Sequence, residues 1–232
     1  LTFAKQDKRI AYAASFGVEK IPDKMRSAFR TYLNGLKCIS VREYAGQNIV
    51  KELTGNQCKV LLDPTLLRTS EQWLQMERKP RWIKGNERFV LLYCLGDDTL
   101  KSEPLKRILL SQQYSDCKMV DINDMNDWRK YTIAPDHFIW LIHHAQLIIT
   151  DSFHATVFSI LFEKSFFYAQ RKDENTSMSS RVSSLKSLLD FPFPDNEIIH
   201  PTQQDIARVQ MALKRRKKEA IQYLKDALEI HE

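Results

Sequence analysis

The segment at residues 147–162, LIITDSFHATVFSILF, holds the residue types most able to do chemistry in this chain. It reads as an apolar strand that stops at Asp151, followed at once by an apolar helix. Ser152 is suited to the N-cap position of that helix, so the backbone amides of Phe153 to Thr156 would be the unpaired donors of the first turn. With the helix dipole, these amides would form a binding site for a phosphate or a carboxylate.

His154 lies in the first turn of this predicted helix, so its imidazole would point toward the same anion. A histidine there can bind the anion as a cation, or pass a proton to a reacting group. A packing or capping histidine would have the same sequence context, and that interpretation stays open. We predict His154 as the catalytic residue and expect the five other histidines to be ordinary residues at helix surfaces or element ends.

Three arginines could add positive charge to such a site. Arg42 follows a buried strand pattern and could offer its guanidinium to a carboxylate or phosphate, or form a local ion pair with Glu43. Arg171 and Arg181 bracket a serine-rich polar stretch at 173–180. That stretch could be a lid that closes over an anionic ligand, or a plain flexible loop.

Several common kinds of site are absent from the sequence. With only six glycines, the chain has no glycine-rich phosphate loop of either common type. It has no nucleophile elbow, no Ser/His/Asp order and no metal-ligand cluster, and its four cysteines are too widely spaced for a zinc ribbon or a redox pair. The sequence therefore predicts neither a metal ion nor a cofactor.

The elements that position these residues follow from the alternation of short apolar, β-branched runs with amphipathic segments. Predicted strands lie at 8–15, 38–42 and 59–62, and then at 89–95, 118–122, 147–150 and 166–169. Strands that alternate with helices at this spacing favour an α/β fold with parallel sheets. In such sheets, ligands bind beyond the carboxyl ends of the strands.

The two series of strands predict two Rossmann-like domains that face a cleft. The basic stretch at 77–88 contains a proline and a glycine and is the best candidate for a linker between them. The first domain would cover residues 1–86 and the second residues 87–232, ending in a long helix at 202–228. Because three strands are few for an independent doubly wound sheet, we expect the first domain to be incomplete, with further sequence upstream of it.

The net charge of +6 is spread along the chain, except for the run Lys214–Lys218, KRRKK. This run lies inside an apolar helical pattern, so it would be a solvated helix face, or a contact for phosphate or a membrane surface. Nucleic-acid binding is not expected, because no aromatic residue is interleaved with these charges. No apolar run could cross a bilayer and no signal peptide is visible, so we expect a cytoplasmic protein, with peripheral contact at the inner membrane face left open.

Five blocks of the sequence, taken in order, resemble the polysaccharide pyruvyl transferase family. They are KRIAYAASFG (8–17), ISVREYAG (39–46), VLLDPTLL (60–67), FVLLYCLG (89–96) and TDSFHATVFSILFEKSF (150–166). The resemblance implies a GT-B-like fold, with roughly the first third of a typical member missing here. It also implies phosphoenolpyruvate as the donor, bound by the second domain, and hydroxyl groups of a sugar or lipid-linked glycan as the acceptor.

Two departures from the family's pattern affect the expected donor site. The usual glycine after the histidine is Ala155, and the Arg-Leu-His sequence of many members is Ser152-Phe153-His154, which removes one cation. Arg171 or Arg181 could replace that cation. With His154 as the catalytic residue, the residues expected to bind substrate are Arg42, Ser152, Phe153, Ala155, Arg171 and Arg181.

Two other functions stay open on the sequence alone. A GT-B glycosyltransferase that uses a nucleotide sugar would also bind its diphosphate at a helix N-terminus, so the expected fold cannot separate it from a pyruvyl transferase. A noncatalytic carbohydrate-binding relative would keep the fold and lose the chemistry, and the departures at Ser152 and Ala155 give it some support.

Overall fold

The computed structural model describes residues 3–96, 99–170 and 177–230. They form a mixed α/β fold with two separate sheets, both built mainly from parallel strands. The chain divides into two compact units, neither of which is continuous in sequence. The first comprises Leu1–Leu67, Asp173–Pro192 and Ala207–Glu232, and the second comprises Arg68–Lys172 and Phe193–Ile206.

The strands and helices of the described residues follow one another in alternation for most of the chain. The strands are β1 (Ile10–Ala14), β2 (Cys38–Val41), β3 (Lys59–Val60), β4 (Phe89–Tyr93), β5 (Lys118–Asp121), β6 (Leu147–Thr150), β7 (Phe166–Tyr168) and β8 (Ile198–Ile199). The α-helices are α1 (Asp23–Asn34), α2 (Tyr44–Thr54), α3 (Ser70–Leu74), α4 (Thr99–Leu109), α5 (Trp128–Tyr131), α6 (Pro135–His144), α7 (Phe153–Leu161), α8 (Ser177–Leu189) and α9 (Gln203–Leu228). Every strand except β8 lies within a predicted one.

In the first unit, β1, β2 and β3 form a parallel sheet in that order. The register between β1 and β2 contains a bulge between Ala11 and Ala14, where Ala13 has a left-handed φ of 44°. The fully buried Ser40 satisfies the backbone groups that the bulge frees. Its hydroxyl accepts from the Ala13 N–H at 2.9 Å and donates to the Ala11 carbonyl at 3.1 Å. This buried polar residue therefore serves the strand geometry.

Helices from distant parts of the chain complete the first unit. Leu33 of α1 and Ile49 of α2 belong to one buried apolar cluster with Val41 of β2. Tyr223 of α9 belongs to a second cluster with Ala13, which attaches the end of α9 to the first sheet. Helix α8 adds Ser184, whose hydroxyl accepts the Tyr44 N–H at 3.0 Å and so satisfies a donor at the start of α2.

The second unit contains a five-stranded sheet in the order β5-β4-β6-β7-β8. The pairs from β5 to β7 are parallel, as predicted, whereas β8 pairs antiparallel with β7 through Phe166 and Ile199. Strands β4 and β6 lie side by side in the interior of this sheet, and nearly all their residues are buried. Alternate residues of the two strands form one cluster with Ile108 of α4 and Phe167 of β7. The residues between them, such as Leu91 and Ile148, are also buried. Burial on both faces is why these strands show continuous apolar runs.

The division of the chain into units differs from the predicted boundary after residue 86. Helix α8 and α9 from Ala207 onward cluster with the first sheet, although they follow the second sheet in sequence. The basic stretch at 77–88, expected to be a linker, is part of the second unit, and its Ile83 is buried. The GT-B arrangement and a cleft between two domains stay predictions.

Two further expectations concern the chain after β7 and the membrane. The predicted loop at 173–180 extends too far, because α8 begins at Ser177; the earlier part of that loop lies outside the described residues. Among the residues described, every helix is too short or too polar to cross a membrane.

Candidate active site

The β6–α7 junction is formed by a buried strand that runs directly into a buried helix. All four residues of β6 are buried, and so are all residues of α7 except His154. The apolar run therefore continues through both elements, and the change from strand to helix takes place over Asp151 and Ser152. This places the first turn of α7 at the carboxyl edge of the parallel part of the sheet, where ligands bind in such folds.

His154 is the exposed residue of α7, with its ring 5.3 Å from the ring of Phe153 in an edge-to-face arrangement. Its imidazole stands in the first helical turn, where the helix dipole favours negative charge. A histidine in this position can bind an anion, or give a proton to a group beside it. The structure thus excludes the interpretation of His154 as a side chain packed in the core.

Ser152 occupies the N-cap position, as predicted, but its side chain makes no capping hydrogen bond. Its backbone dihedrals are extended, at φ −85° and ψ 130°, and its own N–H donates to the Thr150 hydroxyl at 2.9 Å. The Ser152 carbonyl accepts both the N–H of Thr156, at 3.0 Å, and its hydroxyl, at 2.9 Å. Ser152 therefore shapes the turn through its backbone, and its hydroxyl does not compete for the first-turn amides.

Asp151 is a fully buried residue whose role the sequence did not indicate. Its two carboxylate oxygens accept the N–H groups of Leu95 and Gly96, each at 2.7 Å. The carboxylate thereby fastens the segment after β4 to the end of β6. Burial, and next the negative charge of Asp151, raises the pKa of Tyr93 above its ordinary value. The sequence did show an acidic residue directly after an apolar strand, which could have singled out Asp151. Its hydrogen-bond partners could not be predicted, because they lie more than fifty residues away in the chain.

A cavity of about 700 Å³ lies on the same edge of this sheet, beyond β4 and β5. Its wall includes Gly96, which Asp151 holds, and several polar side chains from the segment after β5. One of these, Asn123, donates from its side-chain amide to the Cys94 carbonyl at 2.5 Å. The polar side chains in the wall are Ser102, Asp121, Asn123, Asp124 and Asn126. Such carboxylate, amide and hydroxyl groups can hydrogen-bond the hydroxyls of a polar ligand.

Arg42 belongs to the first unit and forms ion pairs there. Its guanidinium contacts the Asp63 carboxylate and lies 3.9 Å from a carboxylate oxygen of Glu43. Glu43 is buried and also accepts the Phe16 N–H at 2.8 Å. Burial, followed by the charge of Asp63, raises the pKa of Tyr12 to about 12. The local ion pair with Glu43 that the sequence left open is thus present, together with the pair to Asp63.

The other predicted substrate-binding residues do not all lie at the β6–α7 junction. Ala155 is fully buried in α7, so it offers no surface to a ligand, and Phe153 is only 4% exposed. Arg181 is partly buried within α8 of the first unit. Arg171 lies outside the described residues. The structure therefore brings Ser152, Phe153, His154 and Ala155 together at one helix N-terminus.

The fold and the β6–α7 junction define the class of protein. It is an α/β protein with an exposed histidine at the carboxyl edge of a mainly parallel sheet. The family model for polysaccharide pyruvyl transferases matches residues 1–169 of the 232-residue chain, including all of α7. The chain therefore belongs to the polysaccharide pyruvyl transferase family, and this membership implies a transferase. A search of curated proteins found no significant match.

Proposed function

We propose that this protein transfers a pyruvyl unit from phosphoenolpyruvate to two hydroxyl groups of one sugar in a polysaccharide or its lipid-linked precursor. The product is a cyclic ketal, and the phosphate is released. The observation that carries the proposal is the exposed imidazole of His154 in the first turn of α7, in a chain that belongs to this family.

The donor carries a phosphate and a carboxylate, so its site needs positive electrostatic potential. The dipole of α7 supplies such potential at its N-terminus, where the Ser152 side chain makes no capping hydrogen bond. His154 adds a cation when it is protonated. This proposal uses residues of the second unit alone and does not require Arg42.

The reaction needs an acid beside the methylene carbon of the donor. Protonation there makes the central carbon electrophilic, and a sugar hydroxyl forms a C–O bond to it. The bond to the phosphate oxygen then breaks, and the second hydroxyl closes the ring. One hydroxyl proton ends on the new methyl group and the other on the phosphate, so the atoms balance. We assign the proton transfer to His154, a step for which a positioned histidine is suited.

The acceptor sugar would bind near the cavity beyond β4 and β5. The hydrogen-bonding groups in its wall suit a ligand rich in hydroxyls. The carboxylate of Asp151 links this wall to the start of α7, because it holds Leu95 and Gly96 while directly preceding Ser152. Contact with a membrane surface, through the charges of Lys214–Lys218, stays a prediction.

Phosphate release from phosphoenolpyruvate by the full-length protein, with a panel of lipid-linked and nitrophenyl sugars as acceptors, tests this proposal. We expect release that depends on both the donor and one of the acceptors, and a product whose mass has increased by one pyruvyl unit. A parallel melting experiment compares phosphoenolpyruvate with nucleotide sugars as stabilising ligands. Stabilisation by a nucleotide sugar alone would favour a glycosyltransferase, and sugar binding without phosphate release would favour a noncatalytic relative.

A further inference from the structure

We propose that Glu77, His143 and His144 form a binding site for a divalent transition metal ion of the zinc type. All three residues belong to the second unit, and none of them is part of the β6–α7 junction. Their potential ligand atoms all lie within 4.8 Å of one another. The proposal is independent of the donor chemistry assigned to His154.

The distances within this cluster are close to those that a metal ion needs. The Nδ1 of His143 lies 2.9 Å from a carboxylate oxygen of Glu77, and the Nε2 of His144 lies 3.6 Å from the same oxygen. Ligand atoms about 2.0–2.1 Å from a tetrahedral ion stand roughly 3.3 Å apart, so small side-chain movements would suffice. Two imidazoles and one carboxylate are also a ligand set that zinc takes in proteins.

The local structure explains how two adjacent histidines can converge on one point. His143 and His144 are the last two residues of α6, and neighbours on a helix point in different directions. They reach Glu77 because one ring uses its Nδ1 and the other its Nε2. The ring of His144 stacks on Trp140 at 4.3 Å, and the ring of His143 lies 5.5 Å from Phe162. These aromatic contacts restrict both imidazoles before any ion arrives.

The exposure of the three side chains suits an ion that enters from solvent. The exposed fractions are 22% for Glu77, 34% for His143 and 41% for His144. Water or a small ligand could therefore complete the coordination. The nearby charge of Lys164 opposes a bound cation and so weakens its binding.

The position of Glu77 gives the ion a structural role. Glu77 follows α3, whereas the histidines lie at the end of α6, 66 residues further along the chain from Glu77 to His143. An ion shared by these residues would fasten the segment after α3 to the end of α6. Without the ion, the hydrogen bond between Glu77 and His143 makes a weaker form of the same link.

The test measures Zn²⁺ binding to tag-free full-length protein by equilibrium dialysis at neutral pH. We expect about one equivalent of bound Zn²⁺, and at least about a tenfold loss of affinity in Glu77→Gln and in His144→Gln, since each removes one ligand. His137→Gln, on the same helix but outside the cluster, serves as the control and should bind like the wild type. Co²⁺ should give a visible absorption spectrum that Glu77→Gln abolishes.

Two results would overturn the site. One is dialysis that finds no stoichiometric Zn²⁺ on the wild-type protein. The other is equal Zn²⁺ affinity in the wild type, Glu77→Gln and His144→Gln, because the ion would then be bound elsewhere. Circular dichroism of both variants checks that they are folded, so that a loss of affinity reports on the ligands.

Discussion

Replacement of Asp151 by asparagine should destabilise the second unit, because this carboxylate is fully buried and holds two backbone groups. Asparagine keeps one acceptor oxygen but turns an NH₂ group toward the other amide. The variant therefore loses one charge-assisted hydrogen bond of 2.7 Å. Such a bond contributes about 1.5–3 kcal/mol, and because Leu95 and Gly96 are partly open to water, we expect about 2 kcal/mol.

Urea unfolding of the wild type and Asp151→Asn measures this loss, with Asp116→Asn as the matched control. Asp116 loses the same charge, but its side chain is 57% exposed and its ion pair with Arg88 lies on the surface, so the change should stay within about 0.5 kcal/mol. Hydrogen exchange at the Leu95 and Gly96 amides should become at least about tenfold faster in Asp151→Asn. Equal stability of the two variants, with unchanged exchange at both amides, would refute the role of Asp151.

Three further predictions concern the first unit. Ser40→Ala should lower the free energy of unfolding, measured by urea titration, by about 1–3 kcal/mol, because the buried Ala13 N–H loses its acceptor. Ser187→Ala, on the exposed face of α8, is the control and should change this free energy little. Asp190→Gly should raise it by about 0.5–1 kcal/mol, since Asp190 has a left-handed φ of 52° after α8; a lower melting temperature would contradict this. Burial raises the pKa of the Cys58 thiol from 9.0 to about 11. The folded protein therefore holds this proton more tightly than the unfolded chain, and that contribution to the free energy of unfolding should be lost as pH rises from 9 to 11. Cys58→Ala should lose less stability across that range than the wild type, and an equal loss would contradict the prediction.

Local patterns predicted most of the elements and the order in which they occur. The buried strands β4 and β6 are continuous apolar segments. In α7, His154 is the one residue that is exposed, and all its neighbours in that helix are buried. A polar residue within such a run must either find a partner or face solvent, and this is why the sequence could single out His154. Strand β8 escaped prediction because its two isoleucines stand alone between Glu197 and His200, whereas the equally short β3 begins a longer, mainly apolar run at 59–62.

The parts that could not be predicted depend on contacts between distant residues. Nothing in the local pattern of α9 states which sheet its apolar side will meet, and Tyr223 packs with Ala13 across most of the chain. Asp151 reaches Leu95 and Gly96 because β6 pairs with β4. That pairing depends on the order of strands in the sheet, which local sequence patterns do not predict. The cluster of Glu77 with His143 likewise joins two segments that no spacing rule connects.

The most direct test of the central claim is the turnover of phosphoenolpyruvate by the full-length His154→Gln variant. His200→Gln is the matched control, because His200 is an exposed histidine of the second unit that contacts Ser165 at 2.8 Å. If His154 transfers the proton, its variant should release phosphate about 10²–10⁴-fold more slowly than the wild type, while the control keeps full activity. Wild-type turnover by folded His154→Gln would contradict the assignment of the reaction to this helix N-terminus.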